Sequence, residues 1–159
     1  MEDVVNERGG GEKALIVGLE SRICAVPLSH VIETMRPLPI EPLAGVPSFV
    51  RGVAIIRGIP TPVVDLGAVL GTPVELPQRF VTVRVGERQV ALSVNAVLGV
   101  RDLKTILTIQ DLHPFLQGAA RDVVEMIGML DDRVLMVLQE SWELPDEVWQ
   151  ALTAQETVS

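Results

Sequence analysis

The side chains that most often carry out chemistry are few in this chain, and they lack partners. Its single cysteine, Cys24, lies inside an apolar run, which predicts a small buried hydrophobic side chain and not a nucleophile. Its two histidines, His30 and His113, have no histidine, cysteine or acidic residue at the spacing of a metal site. The pattern therefore predicts neither nucleophilic catalysis nor a zinc site.

Local structure accounts for the paired acidic residues and for the run of glycines. Asp131-Asp132 fits a tight hairpin turn, while Glu140 and Glu143 precede the last predicted helix, whose N-terminus favours negative charge. Gly9–Gly11 has neither a strand before it nor a helix after it, so it matches no phosphate-binding fingerprint. We therefore expect no enzymatic activity, no cofactor and no metal, and a chain that works by binding.

The composition limits the class of protein further. Of the 159 residues, 48% are hydrophobic, which is ample for a buried core. The formal net charge is −8 and no basic cluster is present, which argues against nucleic-acid binding. No apolar run is long enough to insert in a membrane, and residues 1–13 lack the apolar core of a signal peptide. We expect a soluble cytoplasmic protein with a flexible tail over residues 1–13.

Short apolar runs between turn signals predict a mostly β protein. Tight turns are expected at Ser21-Arg22, Arg57-Gly58, Gly86-Glu87 and Asp131-Asp132, and no long crossover helix separates the strands. This pattern favours small barrels over a layered α/β fold. The predicted strands are Ala14–Glu20, Ile23–Leu28, Phe49–Ile56, Ile59–Leu66, Phe80–Val85, Val90–Val94, Val97–Leu103, Val123–Leu130 and Arg133–Leu138.

Prolines and capping residues predict what lies between the strands. Ser29–Glu33 is expected to form one helical turn, and Asp65 to cap a short helix. Pro37–Ser48, with its prolines, and residues 104–120 are expected to be irregular. Glu143–Ala154 is the strongest predicted helix, because acidic residues and a proline lie in its first turn. Its packing face is expected to comprise Val148, Trp149 and Leu152.

Residues 49–66, FVRGVAIIRGIPTPVVDL, resemble the signature of the CheW-like chemotaxis coupling proteins. That signature has a strand led by valine and glycine, an Asn-Leu-Arg-Gly turn, and then Pro-Val-x-Asp-Leu. Further pieces agree in order, and the resemblance covers about residues 12–142. These pieces are Val31-Ile32-Glu33, the loop Leu43–Pro47, Val94-Asn95-Ala96-Val97, Ile127-Gly128 and the closing strand Leu135–Leu138.

The resemblance implies a fold and a function. Members of this family consist of two SH3-like, five-stranded β-barrels packed side by side, which here would occupy residues 14–142, with residues 143–159 forming a C-terminal helix and tail. They are not enzymes. They bridge the cytoplasmic tips of methyl-accepting chemoreceptors and a CheA-type histidine kinase. The receptor tip lies in the groove between the barrels, and the kinase's regulatory domain pairs with the coupling protein barrel end to barrel end.

The resemblance also implies roles for particular residues. Arg57 and Gly58 match the arginine and glycine of the signature turn, which matters for assembling signalling complexes, and Glu33 matches the acid after the first hairpin. Asp65 matches an aspartate for which we favour a structural role as a cap. Val94, Val97 and Val100 fall where the family lines its groove. The implied protein-binding residues are Val31, Glu33, Arg57, Gly58, Val94, Asn95, Val97 and Val100.

Two departures from the family pattern leave alternatives open. The signature's Asn is here Ile55, and the Asp of the second motif is Asn95, so hydrogen bonds made there by typical members cannot all be made identically. One alternative is a divergent adaptor for a non-flagellar system such as surface motility, which binds one partner or self-associates. Another is a small-ligand-binding β-barrel. The helix bearing Trp149, with Trp142 before it, is expected to pack back on a barrel, the alternative being aromatic contacts to a partner.

Overall fold

The structure is a computed structural model that describes residues 12–110 and 119–158. Most of the expected tail, with Gly9–Gly11, lies outside the described residues, as does His113. The chain is mostly β with a C-terminal helix, so the expected fold class is confirmed. The strands are β1 (Lys13–Leu19), β2 (Arg22–Pro27), β3 (Val31–Met35), β4 (Val50–Ile56), β5 (Ile59–Asp65), β6 (Arg79–Val85), β7 (Arg88–Val94), β8 (Ala96–Asp102), β9 (Leu107–Gln110), β10 (Val124–Leu130) and β11 (Arg133–Leu138). The helices are α1 (Leu66–Val69), α2 (Ala119–Val123) and α3 (Asp146–Val158).

The strands form two sheets with matching connectivity. The first sheet has the order β8-β1-β2-β11-β10-β9, and the second has the order β3-β6-β7-β5-β4. In each sheet two antiparallel hairpins meet through one short parallel pairing, β2 with β11 and β5 with β7. The second sheet has the five expected strands and repeats the arrangement of β8-β1-β2-β11-β10. The first sheet carries β9 as a sixth strand.

Left-handed backbone at the hairpin turns sets where the strands end. Arg57 and Gly58 have φ values of 51° and 80°, and Asp131 and Asp132 have values of 51° and 66°. A type I′ turn requires positive φ at both central residues, and its twist matches that of the flanking strands. In the turn between β6 and β7, φ is positive at Gly86 but not at the residue after it. These three predicted turns are confirmed.

The central strands of both sheets are buried on both faces. On β1, Val17 joins a core shared by the two sheets, whereas Ile16 packs in a separate cluster within the first sheet. On β7, Leu92 joins the shared core and Ala91 packs inside the second sheet. We call the shared cluster the inter-sheet core. Its largest fully buried side chains are Val17, Leu19, Val64, Leu66, Val74, Val81, Leu92 and Leu138.

Three segments differ from the sequence prediction. The helical turn predicted at Ser29–Glu33 is a 3₁₀ turn at Leu28–His30 without a side-chain cap, and Val31–Met35 is a strand, because its ladder with β6 outweighs the local signal. Leu107–Gln110, expected to be irregular, pairs with the edge of β10. The β1–β2 turn falls one residue early, at Glu20-Ser21. The first two differences depend on pairing with a partner strand outside the local sequence.

The proline-rich loop lies against the outer edge of β4. The amide and carbonyl of Glu41 exchange hydrogen bonds of 2.8 Å with the carbonyl and amide of Val53. This close approach requires Gly52, because a Cβ at that position would overlap the Glu41 carbonyl, and its φ of 147° also favours glycine. The loop therefore covers an edge strand that would otherwise expose unpaired backbone groups.

The C-terminal helix packs back on the protein, as expected. It begins at Asp146, three residues later than predicted, after the carbonyl of Pro145 has accepted a hydrogen bond from the Val148 amide at 3.0 Å. Val148 is fully buried in the inter-sheet core, and Leu152 is also buried. Trp149 is half-buried and packs against the same core. The predicted packing face is therefore confirmed.

Replacing Leu92 with Ala should lower the free energy of unfolding by about 2–5 kcal/mol, because the side chain is fully buried between the two sheets. The matched control is Leu98→Ala, which truncates a leucine that is 53% exposed and should cost less than about 0.5 kcal/mol. Urea unfolding of both variants makes the comparison. Equal losses would contradict an inter-sheet core that holds the sheets together.

Candidate protein-binding site

An exposed ion pair joins the two edges of the second sheet. Arg57, in the turn between β4 and β5, donates hydrogen bonds from Nε and Nη2 to the Glu33 carboxylate at 2.7 and 2.8 Å. Glu33 lies on β3, at the opposite edge of the sheet from β4. The sheet therefore curls until its edges meet at this pair, as a barrel requires. Three predicted site residues, Glu33, Arg57 and Gly58, are brought together here.

The two members of this pair differ in exposure. The Arg57 side chain is 74% exposed, whereas that of Glu33 is 26% exposed. The bidentate hydrogen bonds and the charge of Arg57 lower the pKa of Glu33 below its ordinary value, and Glu33 raises the pKa of Arg57. Both groups therefore stay charged around neutral pH. A protein that approaches this end of the sheet meets chiefly the guanidinium of Arg57.

The first sheet has an ion pair at the corresponding place, with the charges exchanged. Arg101 on the edge strand β8 donates to Asp131 in the β10–β11 turn at 2.7 and 3.4 Å. Asp131, like Arg57, is the first residue of a two-residue turn and has φ of 51°. Each sheet therefore ties its edge strand to a hairpin turn by a charge pair. The second sheet presents a cation at the turn, and the first sheet presents an anion there.

The predicted valines lie along the inter-sheet core and not beside the ion pair. Val31 and Val97 are half-buried and pack against this core, and Val100 is 48% exposed on β8. Val94 is fully buried in that core and does not reach solvent. Leu98, which the sequence analysis missed, is 53% exposed on β8, and its side chain lies beside Gly18. We call Val31, Val97 and Val100 the groove surface.

A β-bulge explains the exposure of Leu98. Val97 pairs with Val17 and Gly99 pairs with Ile16, so Leu98 is an extra residue opposite no partner. Gly99 has φ of 127°, which an ordinary side chain would not adopt easily. A glycine within an apolar strand often marks such a bulge. Gly99 was therefore the sequence signal that could have located Leu98.

Asn95 makes its hydrogen bonds within the chain. Its side-chain oxygen accepts a hydrogen bond from the backbone amide of Glu20 in the β1–β2 turn. Its backbone amide donates to the Gly18 carbonyl at 2.9 Å. The Arg22 guanidinium also donates across the sheets, to the Leu70 carbonyl at 2.9 Å. Since a carboxylate could accept the same bond from Glu20, an Asn in place of the family's Asp keeps this contact.

Asp65 caps a helix, as expected, and also anchors a loop. Its carboxylate accepts from the Ala68 amide at 3.0 Å and from the Val74 amide at 3.1 Å. The Arg51 guanidinium, which the sequence analysis did not single out, donates to Asp65 at 3.0 Å and also to the Val74 carbonyl. Asp65 is buried, so these contacts offset the cost of burying its charge. This cluster is structural.

Catalytic and metal sites find little support among the described residues. Cys24 is fully buried, and burial raises the pKa of its thiol, so the reactive thiolate does not form. No group of three potential metal-ligating side chains occurs in residues 12–110 and 119–158. In that same part of the chain, no helix has the length and apolar character needed to cross a membrane.

An apolar cavity of about 260 Å³ opens at the inter-sheet core. Phe49, Val64, Leu92 and Trp142 are among its lining residues. Its volume is below the roughly 300–1,000 Å³ of typical small-molecule sites, which also need a few converging polar groups. This cavity therefore does not favour a small-ligand-binding barrel.

Comparisons with known proteins agree with this architecture. The family model described as the CheW-like domain matches residues 13–141. The chain is also similar in structure to the scaffolding protein TtCheW from Thermoanaerobacter tengcongensis, with a TM-score of 0.67 and 22% sequence identity. That alignment covers 82% of this chain and 90% of the other, and at this identity it shows a shared fold. No curated protein matches the chain.

The Glu33–Arg57 pair should make the stability of the protein depend on acid pH. Because the pKa of Glu33 is lowered in the folded state, the pair stabilises the fold fully above about pH 4.3, the ordinary glutamate value, and this contribution is lost as pH falls through the lower folded-state pKa. Glu33→Gln should therefore destabilise the protein at neutral pH, and its difference from wild type should vanish in acid. Urea unfolding at a series of pH values measures this difference.

The matched control is the same substitution in an Arg57→Gln background, where the ion pair is already absent. Glu33→Gln should then have little pH-dependent effect. An undiminished pH dependence in that background would show that Arg57 is not the cause.

Proposed function

The chain belongs to the CheW-like domain family, and on this premise we propose that it is a chemotaxis coupling scaffold. It acts in the cytoplasm, without enzymatic activity, and bridges the tips of methyl-accepting chemoreceptors to a CheA-type histidine kinase. No cofactor or metal takes part. We infer the kind of partner from family membership, and the contact residues from their exposure and hydrogen bonds.

The single observation that carries the proposal is the Glu33–Arg57 pair. Its arginine lies in the turn that matches the family signature, is 74% exposed, and is held by two hydrogen bonds to one carboxylate. An arginine fixed in this way keeps donors free for a partner and loses little side-chain entropy on binding. Arg57 is therefore placed to contact a partner at the end of the second sheet.

The groove surface is suited to a second, apolar partner. Val100 is exposed on β8, near half-buried Val97. Exposed aliphatic side chains that continue a buried core can receive the apolar face of a helix. We assign this surface to the receptor tip and the Arg57 surface to the assembly of the signalling complex.

The mechanism that follows is geometric. The inter-sheet core fixes the first sheet against the second, and the hydrogen bonds from Glu20 to Asn95 and from Arg22 to Leu70 add to it. A partner on the groove surface and a partner at Arg57 are therefore held at a fixed distance and orientation. A shift of the receptor then biases the kinase between its states, because the two partners are coupled through one rigid body.

The exposure of Ile55 favours a second candidate function. This residue replaces the Asn of the family signature, lies two residues before Arg57, and is 60% exposed. A partner that offers a polar group to Asn would leave that group unpaired against Ile55. The chain would then be an adaptor for a different chemosensory system, such as surface motility, which binds one partner or self-associates.

Arg57→Glu should weaken binding to the kinase or to the receptor by about tenfold or more, because a carboxylate then replaces the exposed guanidinium. The protein should stay folded, since the residue lies in an exposed turn. Co-sedimentation with each purified partner measures binding, and thermal unfolding measures stability. The matched control is Arg79→Glu, which makes the same charge change at the exposed start of β6, on the same sheet.

The exchange Glu33→Arg with Arg57→Glu separates partner contact from barrel closure. It restores an ion pair with the polarity of Arg101–Asp131, which the first sheet already tolerates. If Arg57 touches the partner, binding stays lost although the pair is restored, and this is the expected result. Recovery of binding would mean that the pair acts only by closing the sheet.

Val100→Glu should weaken binding of the receptor fragment by about tenfold or more, because an unpaired carboxylate would be buried under the apolar partner. Leu76→Glu is the matched control, since Leu76 is 75% exposed in a loop outside the groove surface. Equal binding by the Val100 variant and wild type would show that the receptor does not bind at this surface.

A further inference from the structure

A cleft of about 420 Å³ lies between the helix α3 and the end of the second sheet that carries the β4–β5 and β6–β7 turns. This helix lies beyond residue 141, where the family match ends, so neither the match nor the proposed partner contacts depend on it. The cleft has an apolar side and a basic side. Its principal lining residues are Ile32, Ile59, Pro60, Arg84, Arg88 and Trp149.

The apolar side of the cleft adjoins the Glu33–Arg57 pair. Ile32 precedes Glu33 on β3 and is 42% exposed. Ile59 follows the Arg57-Gly58 turn and is 50% exposed. Two branched aliphatic side chains are therefore open to solvent next to the ion pair. A partner bound at Arg57 can reach them without moving α3.

The basic side comes from the hairpin of β6 and β7. Arg84 and Arg88 are exposed, and neither has a carboxylate in ion-pair range among the described residues. The Arg88 guanidinium lies over the Trp149 ring, 4.4 Å from its centre, and both residues line the cleft. Glu87, in the turn between them, also lines the cleft. Glu143 and Asp146 lie with Arg88 and Trp149 around an adjoining pocket, so Arg84 and Arg88 are the cations of the cleft within a surface of mixed charge.

We propose that this cleft receives a partner segment in which an acidic side chain lies beside a branched aliphatic one. The acid pairs with Arg84 and Arg88, and the aliphatic side chain covers Ile32 and Ile59. Trp149 is a positioning residue, because it acts through Arg88. The inference rests on the proposed function, since the segment belongs to the protein that docks at Arg57. It adds a role for α3, whose Trp149 positions the Arg88 cation.

The test compares two double variants that change the net charge equally. Arg84→Glu with Arg88→Glu reverses the cleft. Arg36→Glu with Arg79→Glu reverses two exposed arginines at the opposite end of the same sheet, where Met35 pairs with Phe80. Binding to the purified kinase and to the receptor fragment is measured at low and high salt, and thermal unfolding verifies folding.

The cleft variant should lose about tenfold or more in affinity for the partner that Arg57→Glu also affects, and it should lose much of the salt dependence of binding. The control pair should change affinity by less than about threefold, since long-range charge is screened. Trp149→Leu keeps an apolar side chain against the core. It should give an intermediate loss together with a reduced salt dependence, which a merely structural role would not produce.

Each contrary outcome overturns a distinct claim. Equal losses in both double variants would mean a nonspecific effect of net charge, and no loss in the cleft variant would mean that the cleft is not contacted. A homodimer of wild type that the cleft variant abolishes would show that the occupant is a second copy. If wild type binds neither kinase nor receptor, the proposed function fails and the cleft proposal falls with it.

Discussion

Burial of the central strands on both faces is the constraint on which the rest of the structure depends. Val17 and Leu92 pack between the sheets, while their neighbours Ile16 and Ala91 pack inside each sheet. A one-residue slip of such a strand would exchange its two faces, so each register is fixed by two cores at once. In each sheet, an ion pair also joins an edge strand to a hairpin turn. The surfaces at the sheet ends and along the groove are positioned by this arrangement.

The same constraint explains why the proposed binding surfaces are separate. Residues that serve the inter-sheet core cannot also meet a partner, and Val94 illustrates this because it is fully buried. The partner contacts that we propose lie at exposed positions, at the Arg57 turn and at Val100 on β8. The C-terminal helix extends the inter-sheet core through Val148 and builds a further wall with Trp149. A scaffold must hold its binding surfaces rigidly relative to one another.

Local features were predictable from the sequence, whereas distant pairings were not. Turns at Arg57-Gly58 and Asp131-Asp132 are encoded in two residues each, and the structure has them where expected. The strand Val31–Met35 was missed because its partner β6 lies some fifty residues away. Family resemblance singled out Glu33 and Arg57 separately, but only the fold shows that they pair. Arg51 was missed for the same reason, since its role comes from the loop that it ties to Asp65.

The most direct test of the coupling function is co-sedimentation of the wild-type protein with receptor fragment and histidine kinase from the same organism. Each partner is tested alone and then both together, and kinase activity is measured in the sedimented complex. A scaffold of this kind should bind each partner, form a complex of all three, and make kinase activity depend on its presence. Binding to one partner only would support the specialised adaptor, and binding to neither would contradict the proposed function while leaving the fold intact.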